Sequence, residues 1–167
     1  MNISIPKEFI HLKEIFSKIN SFKISEPIIE SESSEYGACS FVLNDLNILF
    51  RSAKITPTKT GQFVTLWKRI NQGTIQPFDS SDVIDFFFIS VRKDNQFGLF
   101  IFPKNILISK EIISDKKEGK RGIRVYPPWD TTSSKQAQKT QKWQLDYFFN
   151  ANLEFDQTKL FSLLNTN

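Results

Sequence analysis

Apolar residues recur along this chain in two rhythms, one helical and one strand-like, and the changes of rhythm mark its elements. Phe9, Leu12, Phe16 and Ile19 return at the spacing of one helical face. That spacing predicts an amphipathic helix over residues 6–20, with Ser4 as its cap and Pro6 in its first turn. Glu26 to Gly37 is acidic and serine-rich and reads as a solvated loop. Strand patterns then take over. Cys39–Leu43 and Leu46–Lys54 flank Asn44-Asp45, a tight-turn pair, and predict a hairpin. Thr56 to Gly61 interrupts the pattern, because Pro57 has no N–H to donate and Gly61 is a turn former, and Gln62–Lys68 resumes it. Val83–Val91 and Phe97–Phe102 meet at Asp94-Asn95 as a second hairpin. Its run Phe86-Phe87-Phe88-Ile89 is apolar on both faces, which predicts a buried central strand.

Ile106 to Ile113 is apolar but short and matches neither period. Lys116 to Arg121 is a charged loop, and Ile123–Tyr126 is a strand halted by Pro127-Pro128. Ser133–Asn150 predicts a helix capped by Ser133 or Ser134, with Ala137, Thr140, Trp143 or Gln144 and Tyr147 along one face. Asp156–Leu164 predicts a last short helix packing Leu160, Leu163 and Leu164 inward. There is no internal repeat and no low-complexity linker. The expected architecture is one α/β domain of mixed α+β type over residues 1–167. A single central mixed, largely antiparallel sheet is flanked by helices.

Composition supports a real core, since 40% of the residues are apolar and 17 are phenylalanine. No run approaches the roughly 18 apolar residues of a membrane span. Met1 to Lys7 lacks the layout of a secretory signal, so the expected address is the cytoplasm with no membrane partner. Cys39 and His11 are each alone of their kind. That excludes an intramolecular disulfide and a zinc site built from several cysteines and histidines. Cys39 at a strand start reads as a small core residue, and His11 as a boundary residue.

Charge adds more. Residues 1–50 hold four lysines against seven acids, net −3, and residues 143–167 hold one lysine against three acids, net −2. The total of +4 therefore leaves +9 for residues 51–142. Three acid-poor segments carry it. Arg51, Lys54, Lys59, Lys68 and Arg69 form the first, and Lys116 to Arg124, with Lys120, Arg121 and Arg124, the second. Lys135, Lys139 and Lys142 form the third, at the i, i+4 and i+7 spacing of one helical face. Taken singly, such faces are ordinarily solvated surface. Three in one chain, against an acidic remainder, point to a polyanionic partner, DNA or RNA, held mainly by its backbone phosphates. Tyr126, Trp67 and Trp129 lie beside these cations as candidate stacking groups, and Gln136, Gln138 and Gln141 as polar contacts.

A second chemistry is worth weighing. Asp82 and Asp85 stand at the entrance of the buried strand and Lys104 at the exit of its hairpin partner, as in two-strand nucleases that hold a divalent ion. Phe102 occupies the place of the second acid and cannot ligate. No Walker-type phosphate loop and no dinucleotide fingerprint occurs.

The segments RSAKITPTKTGQFVTLWKR (51–69), FGLFIFPKNILI (97–108), KEGKRGIRVYPPWD (117–130) and SKQAQKTQKWQLDYF (134–148) resemble the MepB family of bacterial proteins, over about residues 39–149. The resemblance implies a fold similar to restriction-endonuclease-like domains and a genetic association with multidrug efflux. It makes Asp85 and Lys104 the positions matching a two-strand nuclease site, with Phe102 departing from the catalytic pattern. The expected function is nucleic-acid binding without nuclease activity and without a cofactor. The alternatives are a nuclease dependent on magnesium or manganese, and a small-ligand or protein-interaction role tied to efflux.

Overall fold

The computed structural model describes residues 4–152 and 154–166. The chain opens with helix α1 (Lys7–Phe16), followed by strands β1 (Ile28–Ile29), β2 (Cys39–Leu43) and β3 (Leu46–Ser52). It then makes an excursion through β4 (Lys54–Thr56), β5 (Lys59–Thr65), β6 (Trp67–Arg69) and β7 (Ile75–Pro77). It returns as the long hairpin β8 (Phe86–Lys93) and β9 (Gln96–Pro103). Helix α2 (Lys104–Ser109), strand β10 (Gly122–Val125), helix α3 (Lys135–Gln144), strand β11 (Phe148–Asn150) and helix α4 (Gln157–Leu164) complete it.

Six strands form the central sheet in the order β1-β2-β3-β8-β9-β11. Its ladders are antiparallel except between β3 and β8, which run parallel from Ile48↔Phe86 to Ser52↔Ser90. The expected mixed, largely antiparallel sheet with flanking helices is therefore present. Two smaller antiparallel sheets accompany it, β10-β5-β4 and β6-β7. Both predicted hairpin turns hold, and Asn44 and Asp94 each adopt positive φ there, as small polar side chains tolerate.

Strand alternation divides the core in two. Phe86 and Phe88 point to one face of the central sheet, where α1 and α4 bring Phe9, Leu12, Phe16, Leu160 and Leu163. Phe87, Ile89, Phe100 and Phe102 point to the other, against Val64, Ile123 and Val125 of the β10-β5-β4 sheet, Leu66 just beyond β5 and Leu107 of α2. All four residues from Phe86 to Ile89 are fully buried, as a strand apolar on both faces requires. Among the described residues, no helix is long and apolar enough to cross a membrane.

Several boundaries differ from the sequence reading, each for a local reason. Helix α1 is shorter than 6–20. Pro6 is its N-cap and no side chain caps it, so Ser4 has no such role. The run Leu46–Lys54 breaks at Ala53, whose N–H bonds the Ser90 carbonyl before the chain leaves the central sheet. The helix expected over 133–150 stops at Gln144, although Ser134 does cap it by accepting from the Ala137 N–H at 3.1 Å. Beyond it, Leu145–Tyr147 form a single 3-10 turn. Phe148 and Phe149 then pair with Phe100 and Leu99 on the edge of β9, and that aromatic pairing outweighs helix propensity. The unassigned stretch 106–113 is α2 plus a loop that buries Leu107, Ile112 and Ile113.

Candidate functional site

The outer face of the β10-β5-β4 sheet forms the floor of a groove and α3 forms its wall. Cross-strand register places Phe63 opposite Arg124 and Thr65 opposite Gly122, so Phe63, Gly122, Arg124 and, one step on, Tyr126 share that face. Their neighbours Val64, Ile123 and Val125 alternate into the core. Helix α3 turns Gln136, Ala137, Thr140, Trp143 and Gln144 to the groove, which encloses about 590 Å³. Lys59, Lys110, Lys120 and Arg124 line it, and no acid does among the described residues. None of these four cations enters an ion pair among the described residues.

Helix α3 is held in place by its glutamines. Gln144 is buried, accepts from the Tyr126 N–H at 2.9 Å and donates to the Arg124 carbonyl at 3.0 Å. Gln141 donates to the carbonyls of Pro127 and Asp130, both at 2.9 Å. Gln138 donates to the Thr132 carbonyl, so it trims the start of the helix. Gln136 remains on the groove wall. Of the glutamines read as polar contacts in the sequence, Gln138 and Gln141 thus serve as docking clamps.

The predicted cations separate into three groups. Lys59, Lys120 and Arg124 line the groove, with Arg124 steadied by the Thr56 hydroxyl at 2.7 Å. Lys135, Lys139 and Lys142 are all exposed on α3, on a face turned roughly a third of a turn from the groove wall. The others meet acids. Lys68 bonds Asp79 and Asp82, each at 2.8 Å, Arg69 bonds Glu32 at 2.8 Å, Lys54 lies 3.9 Å from Glu35 and Arg121 lies 3.3 Å from Glu118. Arg51 is buried and bonds Glu30 at 2.7 Å. The acidic segment expected to be a solvated loop instead folds onto the first basic segment. Glu30, Glu32 and Glu35 each take one of its cations, so that charge is neutralised in place.

Trp129 packs edge-to-face on Phe148 and lines a smaller cleft with Pro57, Thr58, Lys59, Thr60, Lys93 and Asp130. Lys59 therefore stands between two depressions. Sequence reasoning missed Phe63 and Lys110. Phe63 could have been found as an outward position of an alternating strand. Lys110 is the lone cation within the unassigned 106–113 region, and its ammonium sits 5.3 Å over the Trp143 ring.

The nuclease-like positions are engaged elsewhere. Asp85 accepts from the Asn47 N–H at 2.7 Å, which ties the start of β8 to β3. Lys104 donates to the carbonyls of Ser80 and Asp82 at 3.0 and 2.7 Å. Phe102 is fully buried, stacked on Phe100 and tilted against Trp143. Asp79 and Asp82 already surround an ammonium, and the bonds from Lys68 and then Ser81 hold the Asp79 carboxyl down at about 2. Among the described residues no three His, Cys, Asp or Glu gather where a metal could sit, so this donor set does not suit a divalent ion. Burial pushes the Cys39 thiol up to about 12, consistent with its place as a core residue.

A family model described as MepB-like matches residues 30–150. Among solved structures, a crystal structure of MepB is 36% identical, with a TM-score of 0.77 over 89% of this chain and 99% of that one. A bacterial homing endonuclease is 16% identical, with a TM-score of 0.47 over 87% of this chain and 93% of its own. No curated protein matches the chain.

Proposed function

The chain belongs to the MepB-like family, and on that premise we propose that it is a nucleic-acid-binding protein that grips backbone phosphates through the groove beside α3. One observation carries the reading: four unpaired cations, Lys59, Lys110, Lys120 and Arg124, line a single concave surface with no acid among its described lining. A surface of that sign attracts phosphate over a Debye length and releases counterions when it binds. The exposed lysine face of α3 extends the basic surface beyond the groove rim. Binding rather than cleavage is favoured because Asp85 and Lys104 make structural bonds and Phe102 is core.

The test is a fluorescence-anisotropy titration with labelled oligonucleotides across a salt series. If about six phosphates are neutralised on a duplex, the log–log slope is about −5. The Lys120→Ala/Arg124→Ala double variant is expected to flatten it by about 2. A binding constant indifferent to salt overturns the proposal.

A further inference from the structure

Beyond its cations, the groove has a floor of unusual chemistry for the open face of an antiparallel sheet, where polar residues are the rule. Phe63 and Tyr126 are half-buried there, on either side of Arg124. Each ring occupies space that a neighbouring glycine leaves open. A Cβ at Gly122 would stand 2.7 Å from the Phe63 ring, and a Cβ at Gly61 would stand 2.7 Å from two carbons of the Tyr126 ring. Gly61 also has φ of +82°, which L side chains rarely adopt. The backbone has thus made room for two aromatic rings on a basic surface, with Phe63 also meeting Tyr36 edge-to-face.

We propose that the groove takes single-stranded nucleic acid, with unpaired bases stacking on Phe63 and Tyr126 and phosphates bridging Lys59, Lys120 and Arg124. This rests on the nucleic-acid reading above and specifies the strandedness of its ligand. A duplex keeps its bases stacked inside and meets such a floor only with phosphates, so the rings add nothing to its binding. A strand with free bases gains both terms. The groove volume of about 590 Å³ holds roughly one or two nucleotides. From there the strand continues over the hairpin tip, because Lys59 also lines the second cleft beside Thr58, Thr60, Lys93 and Trp129. The path therefore runs from the α3 wall across the β4–β5 turn.

The experiment compares a labelled oligothymidylate of about 12 nucleotides with a duplex of equal length and an oligouridylate, at one salt concentration. The single strands are expected to bind about tenfold more tightly than the duplex. Tyr126→Ala is expected to lower single-strand affinity about tenfold while moving duplex affinity less than twofold, and Tyr126→Phe to retain it. Quenching of intrinsic fluorescence by the single strand gives a readout on the unaltered protein, independent of whether Tyr126→Ala folds. Duplex binding as tight as single-strand binding, with steep salt dependence, overturns strandedness and leaves the phosphate-binding reading in place. No binding of any probe at low salt overturns both.

Discussion

Gln144 and Tyr126 are joined as if they belonged to neighbouring strands: the Gln144 amide oxygen accepts the Tyr126 N–H at 2.9 Å while its nitrogen donates to Arg124 at 3.0 Å. One side chain thereby satisfies the free edge of β10 and fixes the distance between the wall and the floor of the groove. Gln144→Ala leaves both backbone groups without partners and is expected to cost about 2 kcal/mol in urea unfolding. It should also weaken oligonucleotide binding, because the wall loses its anchor.

Arg51 lies inside the protein with a single acid beside it, and burial lowers its pKa against the opposing pull of Glu30. Glu30→Ala strands that charge and is expected to destabilise by about 3 kcal/mol, whereas Arg51→Met, which removes the buried charge, is expected to cost less. Denaturant midpoints of the two variants decide the order. A larger loss from Arg51→Met contradicts the ion-pair account.

Acid tolerance follows from Lys68 and Asp79. The Asp79 carboxyl is lowered from 3.8 to about 2. Its contribution is complete above the ordinary value and disappears as the pH falls through the folded one. Because Asp79 is partly solvated, about 1 kcal/mol is expected. Asp79→Asn should remove that share of the stability difference between about pH 5 and pH 2, measured by urea unfolding at each pH.

Lys135, Lys139 and Lys142 lie on the outer face of α3, exposed and away from core contacts. Replacing all three with alanine should leave the melting temperature nearly unchanged, since alanine favours the helix. The same variant should reduce the salt slope on duplex DNA by up to about 3. An unchanged slope would confine binding to the groove.

Incubation with magnesium or manganese is expected to leave plasmid DNA and RNA intact. Asp85→Ala should cost about 1 kcal/mol through the lost Asn47 bond and leave nucleic-acid affinity within twofold. Cleavage by the unaltered protein that vanishes in Asp85→Ala would reinstate the nuclease reading.

The sheet was readable because its signal is local. Asn44-Asp45 and Asp94-Asn95 announced their hairpins, and a four-residue run apolar on both faces could only be a covered strand. Partnerships distant in sequence were not readable. Nothing within the acidic segment says that Glu30, Glu32 and Glu35 will fold onto Arg51, Arg69 and Lys54, so linear charge counting overstated the free charge of the first basic block. The end of α3 was hidden likewise, because Phe148 and Phe149 obey a strand 45 or more residues upstream rather than their own helical neighbours. The groove was half legible. Three of its four cations, Lys59, Lys120 and Arg124, stood out in the sequence, whereas its floor depended on two glycines whose importance lies in what they do not obstruct.

The parallel seam between β3 and β8 separates two hairpins, β2–β3 and β8–β9, that each close over a short turn. Joining them means closing the long loop of residues 53–85, which must meet its entropy before any seam contact repays it. The hairpins are therefore the fast, local steps of folding and the seam is the slow one. The tip that carries Lys59 lies within that loop, while β10 and α3 follow the seam in sequence, so the groove joins segments from both sides of it.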